Sequence, residues 1–246
     1  FEEMEKHSSW LVQNGDTQHV ANTAWAFAKL GCYSEDFFGC LVKILPKLIE
    51  ASNQQGIGNL CYAFATLGLL AGKHEKAFSQ LWSKAVNFDS QKLPNEQVSQ
   101  LLLVSSFIVA YGKEELPTYP LPPNAMGKFK EKAVTVSKSQ KEVSHVLKDL
   151  GYNHDMEVSP FLNNESVLPP DMLCIDMACK KQMLAIEFDG PSHFSHEVGT
   201  GKVVNVENGP TKAKRRFLEQ LGWKVINIPF YDWARAKNRD GKKLLL

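Results

Sequence analysis

Apolar residues recur at helical spacing through the first half of the chain, and past residue 170 they gather in short runs bounded by charge. The segment Gln18 to Gly31 returns 37 residues later as Gln55 to Gly68, with seven of fourteen positions identical. Val20, Ala24 and Phe27 in one copy, and Ile57, Cys61 and Phe64 in the other, fall on one helical face. Gly31 and Gly68 stand where a helix stops in a left-handed cap. The spacing between the copies predicts a second helix over Phe37–Ile49, with Pro46 kinking or ending it. A degraded third copy starts at Gln97, continues through Leu101–Val109 and ends at Gly112. Helix pairs at this period predict an α-solenoid. The recurring Gln18, Asn22, Gln55 and Asn59 are expected to tie neighbouring repeats together rather than to read bases.

A Pro- and Lys-rich stretch over 116–136 reads as a linker, so the expected organisation is a repeat domain over 1–115 and an α/β domain over 137–246. In the latter, Ser139 and Glu142 suggest a capping box that opens a helix. Val143, Val146, Leu147 and Leu150 face inward on that helix, and Gly151 stops it. Strands are predicted over Met172–Ala178 and Met183–Asp189, with the turn at Lys180-Lys181. Thr211 is expected to cap a helix over Lys212–Leu221 with Ala213, Phe217 and Leu221 inward. A strand over Trp223–Ile228 and a basic helix over Tyr231–Leu246 follow.

Charge adds a partner class. The chain carries 28 basic and 27 acidic side chains, yet residues 201–246 hold 11 basic and 4 acidic ones, including all four arginines. That asymmetry points to a polyanion. Five cysteines with no Cys-x-x-Cys pair argue against a zinc site or a disulfide framework and suit buried, reduced thiols. The longest apolar run, Leu101–Tyr111, is too short to cross a membrane. The chain opens at Phe1 rather than Met, so targeting is not read directly from it.

The densest chemistry lies in Ile186-Glu187-Phe188-Asp189-Gly190-Pro191-Ser192-His193-Phe194. Alternation puts Glu187 and Asp189 on one strand face, and a turn at Lys180-Lys181 sets Asp176 opposite Ala185 and diagonal to Glu187. Three carboxylates on one hairpin face, with His193 just beyond, could hold Mg²⁺ through Asp176 and Glu187 and activate a water against a phosphodiester. The plainer alternative is that these acids pair with Lys212, Lys214, Arg215 and Arg216. For phosphate contact the candidates are Lys212, Lys214, Arg215, Arg216, Arg235, Lys237 and Arg239, with Trp233 and Tyr231 as stacking surfaces.

Those residues, with Gly209-Pro-Thr211, Lys214-Arg215-Arg216-Phe217-Leu218, Leu221-Gly222-Trp223 and Ile228-Pro229 through Trp233, resemble the RAP domain from about Ser137 onward. The repeats are similar to octotricopeptide repeats and, more loosely, to the helices of FAST-kinase-like proteins. The resemblance implies an organellar RNA-binding protein acting on rRNA or transcripts. Such a protein works among neighbouring proteins of a ribonucleoprotein such as the mitochondrial ribosome. The implied compartment is the mitochondrion, with the plastid as alternative. It also implies a restriction-endonuclease-like fold whose active sites use Asp and then Glu-x-Lys. Here Asp176 and Glu187 are present, but Asp189 stands where that Lys is expected, and Lys214 could replace it. The expectation is therefore a non-catalytic RNA binder without cofactor. The alternatives are an Mg²⁺-dependent endoribonuclease using Asp176, Glu187 and Asp189, and a protein-binding scaffold.

Overall fold

The computed structural model describes residues 5–121, 136–161, 173–197 and 199–246. Most of the 116–136 stretch read as a linker, and Met172, lie outside the described residues. The chain divides into two compact units, residues 1–123 with 208–213 and residues 124–207 with 214–246.

The first unit is helical: α1 (Ser8–Asn14), α2 (Thr17–Leu30), α3 (Glu35–Ala51), α4 (Gln54–Thr66), α5 (Glu75–Ala85) and α6 (Asn95–Ala110). The apolar faces dictate two rows. In one, α2 packs on α4 and α4 on α6; in the other, α1 packs on α3 and α3 on α5. Phe27, Phe37, Phe38 and Phe64 are fully buried between them, with Phe27–Phe37 and Phe38–Phe64 ring centroids 5.0 and 5.7 Å apart. Asp16, Ser34 and Asn53 cap α2, α3 and α4 by accepting from backbone amides. Gly31, Gly68 and Gly112 all take positive φ just past their helices.

Pro46 does not end α3, which continues to Ala51. The ring sits on the exposed side while Leu41, Leu45 and Leu48 are buried, so packing holds the helix across the missing amide bond. The polar repeat positions form a ladder. Asn59 Nδ2 donates to Asn22 Oδ1 (3.1 Å), and Gln100 Nε2 donates to Asn59 Oδ1 (3.4 Å). Two ion pairs, Lys73–Glu35 and Lys113–Glu75, each span 38 residues and tie successive helix pairs in the same way.

The second unit contains α7 (Lys138–Asp149), β1 (Asp155–Val158), β2 (Ile175–Cys179), β3 (Leu184–Asp189), β4 (Phe194–His196) and β5 (Val203–Glu207). They are followed by α8 (Gly209–Gln220), whose first residues fall in the other unit, then β6 (Lys224–Pro229), α9 (Phe230–Arg235) and α10 (Arg239–Lys243). The main sheet has the order β1-β2-β3-β6, antiparallel except for the parallel β3–β6 pair, and β4–β5 form a separate ribbon. One face of the sheet carries the apolar core: Val143, Val146 and Leu147 of α7 against Met177, Ile186, Ile228 and Trp233.

Local capping corrects several sequence expectations. The capping box is Ser137 with Gln140, two residues earlier than predicted, because the helix already begins at Lys138. Asn208, not Thr211, caps α8, its Oδ1 accepting from Thr211 N at 3.1 Å. Leu150 is half-exposed at the end of α7. The single basic helix over 231–246 is two short ones, because Asn238 in extended backbone caps the second by accepting from Gly241 N.

Candidate nucleic-acid interface

The hairpin register decides which acids meet. Lys180–Gln182 form a 3-10 turn and Met183 takes φ 50°, so the connection is longer than a two-residue turn. Met177 pairs with Ile186, and Ala178, rather than Asp176, stands opposite Ala185. Carried one residue further, that register brings Asp176 level with Glu187. The shift is two residues, so the three carboxylates stay on one face, as alternation requires. That face lies opposite the apolar core and meets α8.

All three acids are buried: Asp176 is 9% exposed, Glu187 3% and Asp189 1%. Each is committed to a neighbour within the unit. Asp176 Oδ2 accepts from the Phe188 amide at 2.8 Å. Glu187 Oε2 accepts from Lys214 Nζ at 2.5 Å. Asp189 Oδ1 lies 2.9 Å from His193 Nδ1, and its Oδ2 accepts from Asn227 Nδ2 at 2.7 Å. Asn227 in turn accepts from Arg215 Nε at 2.8 Å, and Arg215 also pairs with Glu207.

Burial pushes the Glu187 carboxyl up to about 7, with Lys214 opposing the rise and Asp176 adding to it. Glu187 Oε1 is buried without a hydrogen-bond partner among the described residues. Such an orphan is less costly on a neutral carboxyl than on a charged one. Burial lowers the Lys214 ammonium, but the carboxylates of Glu187 and Asp176 outweigh it and hold the group above the ordinary lysine range. The hydrogen bond to Asp189 raises His193 against the opposing effect of burial. Burial, reinforced by Asp176, also raises Glu157, which accepts from Gln140 Nε2 at 3.2 Å.

The expected phosphate contacts therefore separate into two sets. Lys214 and Arg215 point inward and are engaged by Glu187, Asn227 and Glu207, while Lys212 and Arg216 are half-buried on α8. Arg235, Lys237 and Arg239 are exposed, with Arg235 paired to Asp232 and Arg239 to Asp149. Trp233 is not a stacking surface. It is 4% exposed in the core, its Nε1 donates to Glu142 at 3.0 Å, and Lys242 Nζ lies 4.8 Å from its ring centroid. Tyr231 packs on Phe194 and Phe230 and carries Arg235 over its ring.

Among the described residues no group of three or more His, Cys, Asp or Glu side chains is placed to hold a metal ion, and no helix is long and apolar enough to cross a membrane. Sequence reasoning missed Asn227, Glu157 and Glu207. The visible signal for Asn227 was a lone amide in the apolar run Val225-Ile226-Asn227-Ile228.

Residues 186–246 match the RAP domain model. Over 192 residues, 74% of this chain, the sequence is 26% identical to "RAP domain-containing protein, chloroplastic" of Oryza sativa subsp. japonica. The match takes in 27% of the rice protein, so this chain corresponds to about a quarter of that relative's length. Residues 186–246, which hold Glu187, Asp189, Lys214 and the two short C-terminal helices, are a RAP domain.

Proposed function

We propose that this chain binds RNA without cleaving it, as part of an organellar protein in which an α-solenoid leads into the RAP domain. The carrying observation is the closure of the acid cluster. Asp176, Glu187 and Asp189 are buried and turned to Phe188 N, Lys214, His193 and Asn227, out of reach of a phosphodiester, while Arg235, Lys237 and Arg239 face solvent. Phosphate affinity needs reachable cations, whereas hydrolysis needs reachable carboxylates or metal. RAP domains are generally RNA-binding, which agrees with the outward set.

The 37-residue self-similarity, with its Asn22–Asn59 bond, supports octotricopeptide-like repeats. The mixed sheet with an acid-bearing hairpin supports a restriction-endonuclease-like frame. The chloroplastic name of the rice relative favours the plastid over the mitochondrion. The target is rRNA or an organellar transcript, held within a ribonucleoprotein such as a ribosome.

A second reading, a metal-dependent endoribonuclease, draws on Lys214 standing 2.5 Å from Glu187, where a catalytic lysine would serve. Incubating the chain with end-labelled structured RNA and Mg²⁺, beside Asp176→Ala, separates the two. Retained intact RNA in both samples supports binding alone. Cleavage that disappears in the variant establishes the nuclease. No retention of RNA by either protein would leave the scaffold reading.

A further inference from the structure

The groove between α7 and the α9–α10 corner carries a second level of detail, resting on the RNA-binding reading above. We propose that it is a subsite for one nucleotide of a single-stranded RNA, with the phosphate on Lys237 and Arg239 and the base against His145. The cavity measures about 540 Å³, within the range of small-ligand sites. It lies wholly in the second unit.

Its two walls differ in chemistry. Lys237, Arg239 and Lys242 line one side. Arg239 is oriented by Asp149, whose Oδ2 accepts from its Nε at 2.6 Å and also pairs with its Nη2. A guanidinium has five N–H donors, so this pairing presets the side chain and leaves donors for a phosphate oxygen. Lys242 is held by Glu142 Oε1 and the face of Trp233. Lys237 is exposed and has no carboxylate at ion-pair distance among the described residues. It is the charge in the groove not already balanced.

The other wall is α7. His145 is exposed beside Val146, which is 4% exposed and forms an apolar floor. An accessible flat ring next to an apolar surface suits the face of an unpaired base. A balanced acidic peptide would need the cations but not the ring. The ring and floor are what favour a nucleotide.

The test uses the full chain and a fluorescent 12-nucleotide single-stranded RNA, with anisotropy followed across a salt series. Neither Lys237 nor His145 supports the core, so Lys237→Ala and His145→Ala should melt with the wild type. Lys237→Ala should weaken binding and make the salt dependence shallower by about one phosphate contact. His145→Ala should weaken binding about fivefold or more, the range of one lost base stack, and leave the salt slope unchanged. Wild-type affinity in both variants would overturn the subsite while leaving RNA binding intact. Loss in Lys237→Ala alone, with polyglutamate displacing the RNA as well as unlabelled RNA does, would make the groove an acidic-peptide site and also overturn it. A wild-type chain that binds no RNA would instead refute the functional reading beneath it.

Discussion

Replacing Lys214 by Met tests whether the acid cluster is a closed structural unit. The ammonium sits 2.5 Å from Glu187 and is electrostatically coupled to Asp176 and Asp189 as well. Removing it leaves three carboxylates at 9% exposure or less without that cation. Breaking a buried pair from one side costs about 3–5 kcal/mol, and Met keeps most of the Lys volume, so the loss is electrostatic rather than a cavity.

The loss should depend on pH in a definite direction. Glu187 in the folded chain is raised from 4.5 to about 7, so between those values the folded state binds more protons than the unfolded one. Stability from this group is present below pH 4.5 and is lost as pH rises through 7, a difference of about 3 kcal/mol. Without Lys214 the folded value moves higher still, and the variant should recover part of its stability between pH 8 and pH 5. Urea unfolding followed by circular dichroism, with amide exchange in β3, measures both quantities. A Met variant within 1 kcal/mol of the wild type at pH 8, or one whose deficit is equal at pH 5 and pH 8, would refute the reasoning and return Lys214 to the candidate phosphate contacts.

Trp233→Ala should cost about 3–5 kcal/mol by emptying the core site between α7 and the sheet, read as a lowered urea midpoint. His193 is raised by Asp189, so its contribution is full below the unfolded value near 6.5 and fades as pH rises through the folded one. His193→Gln should therefore flatten the stability profile above pH 6.5, read from melting temperatures at half-unit steps. A double-mutant cycle with Asn22→Ala and Asn59→Ala should show a coupling of about 0.5–1 kcal/mol if their 3.1 Å bond ties the repeats.

In the first half α2 and α4 were legible because two copies of one pattern, with Gly31 and Gly68 at matching stops, specify helix length and phase together, and α3 and α6 followed from their apolar spacing, whereas α1 and α5 lie outside the repeated pattern. The strands β2, β3 and β6 were legible as apolar runs. Other features of the second unit were not, β4 among them. β1 (Asp155–Val158) is only four residues long, too short for its alternation to stand out, and Glu157 within it takes φ 49°. In β5, Val204 and Val206 are exposed while Glu207 pairs with Arg215, so its hydrophobic pattern does not report burial. The α9–α10 break depends on Asn238 capping a new turn, a local choice hidden inside a basic stretch. The acids were located correctly by face, but their register was not, because turn length depends on Met183 accepting a left-handed backbone.

Which cations face outward was the least legible point, although helix phase contained the answer. Lys214 stands four residues before Leu218, which is fully buried, and so shares its inner face, with Ala213 and Phe217 beside it. The same phase consumes part of the excess positive charge of residues 201–246. Lys214 is matched by Glu187 and Arg215 by Glu207, while Arg239 and Lys242 rest on Asp149 and Glu142. Seven independent phosphate contacts would give a salt slope of about −5 for single-stranded RNA, an affinity loss of about a thousandfold from 50 to 200 mM salt. With the inner cations committed, about two or three contacts remain. The slope should then be near −2, and the loss over the same interval about fifteenfold. A measured slope near −5 would mean that RNA pulls Lys214 and Arg215 out of their pairs, and that the acid cluster opens on binding.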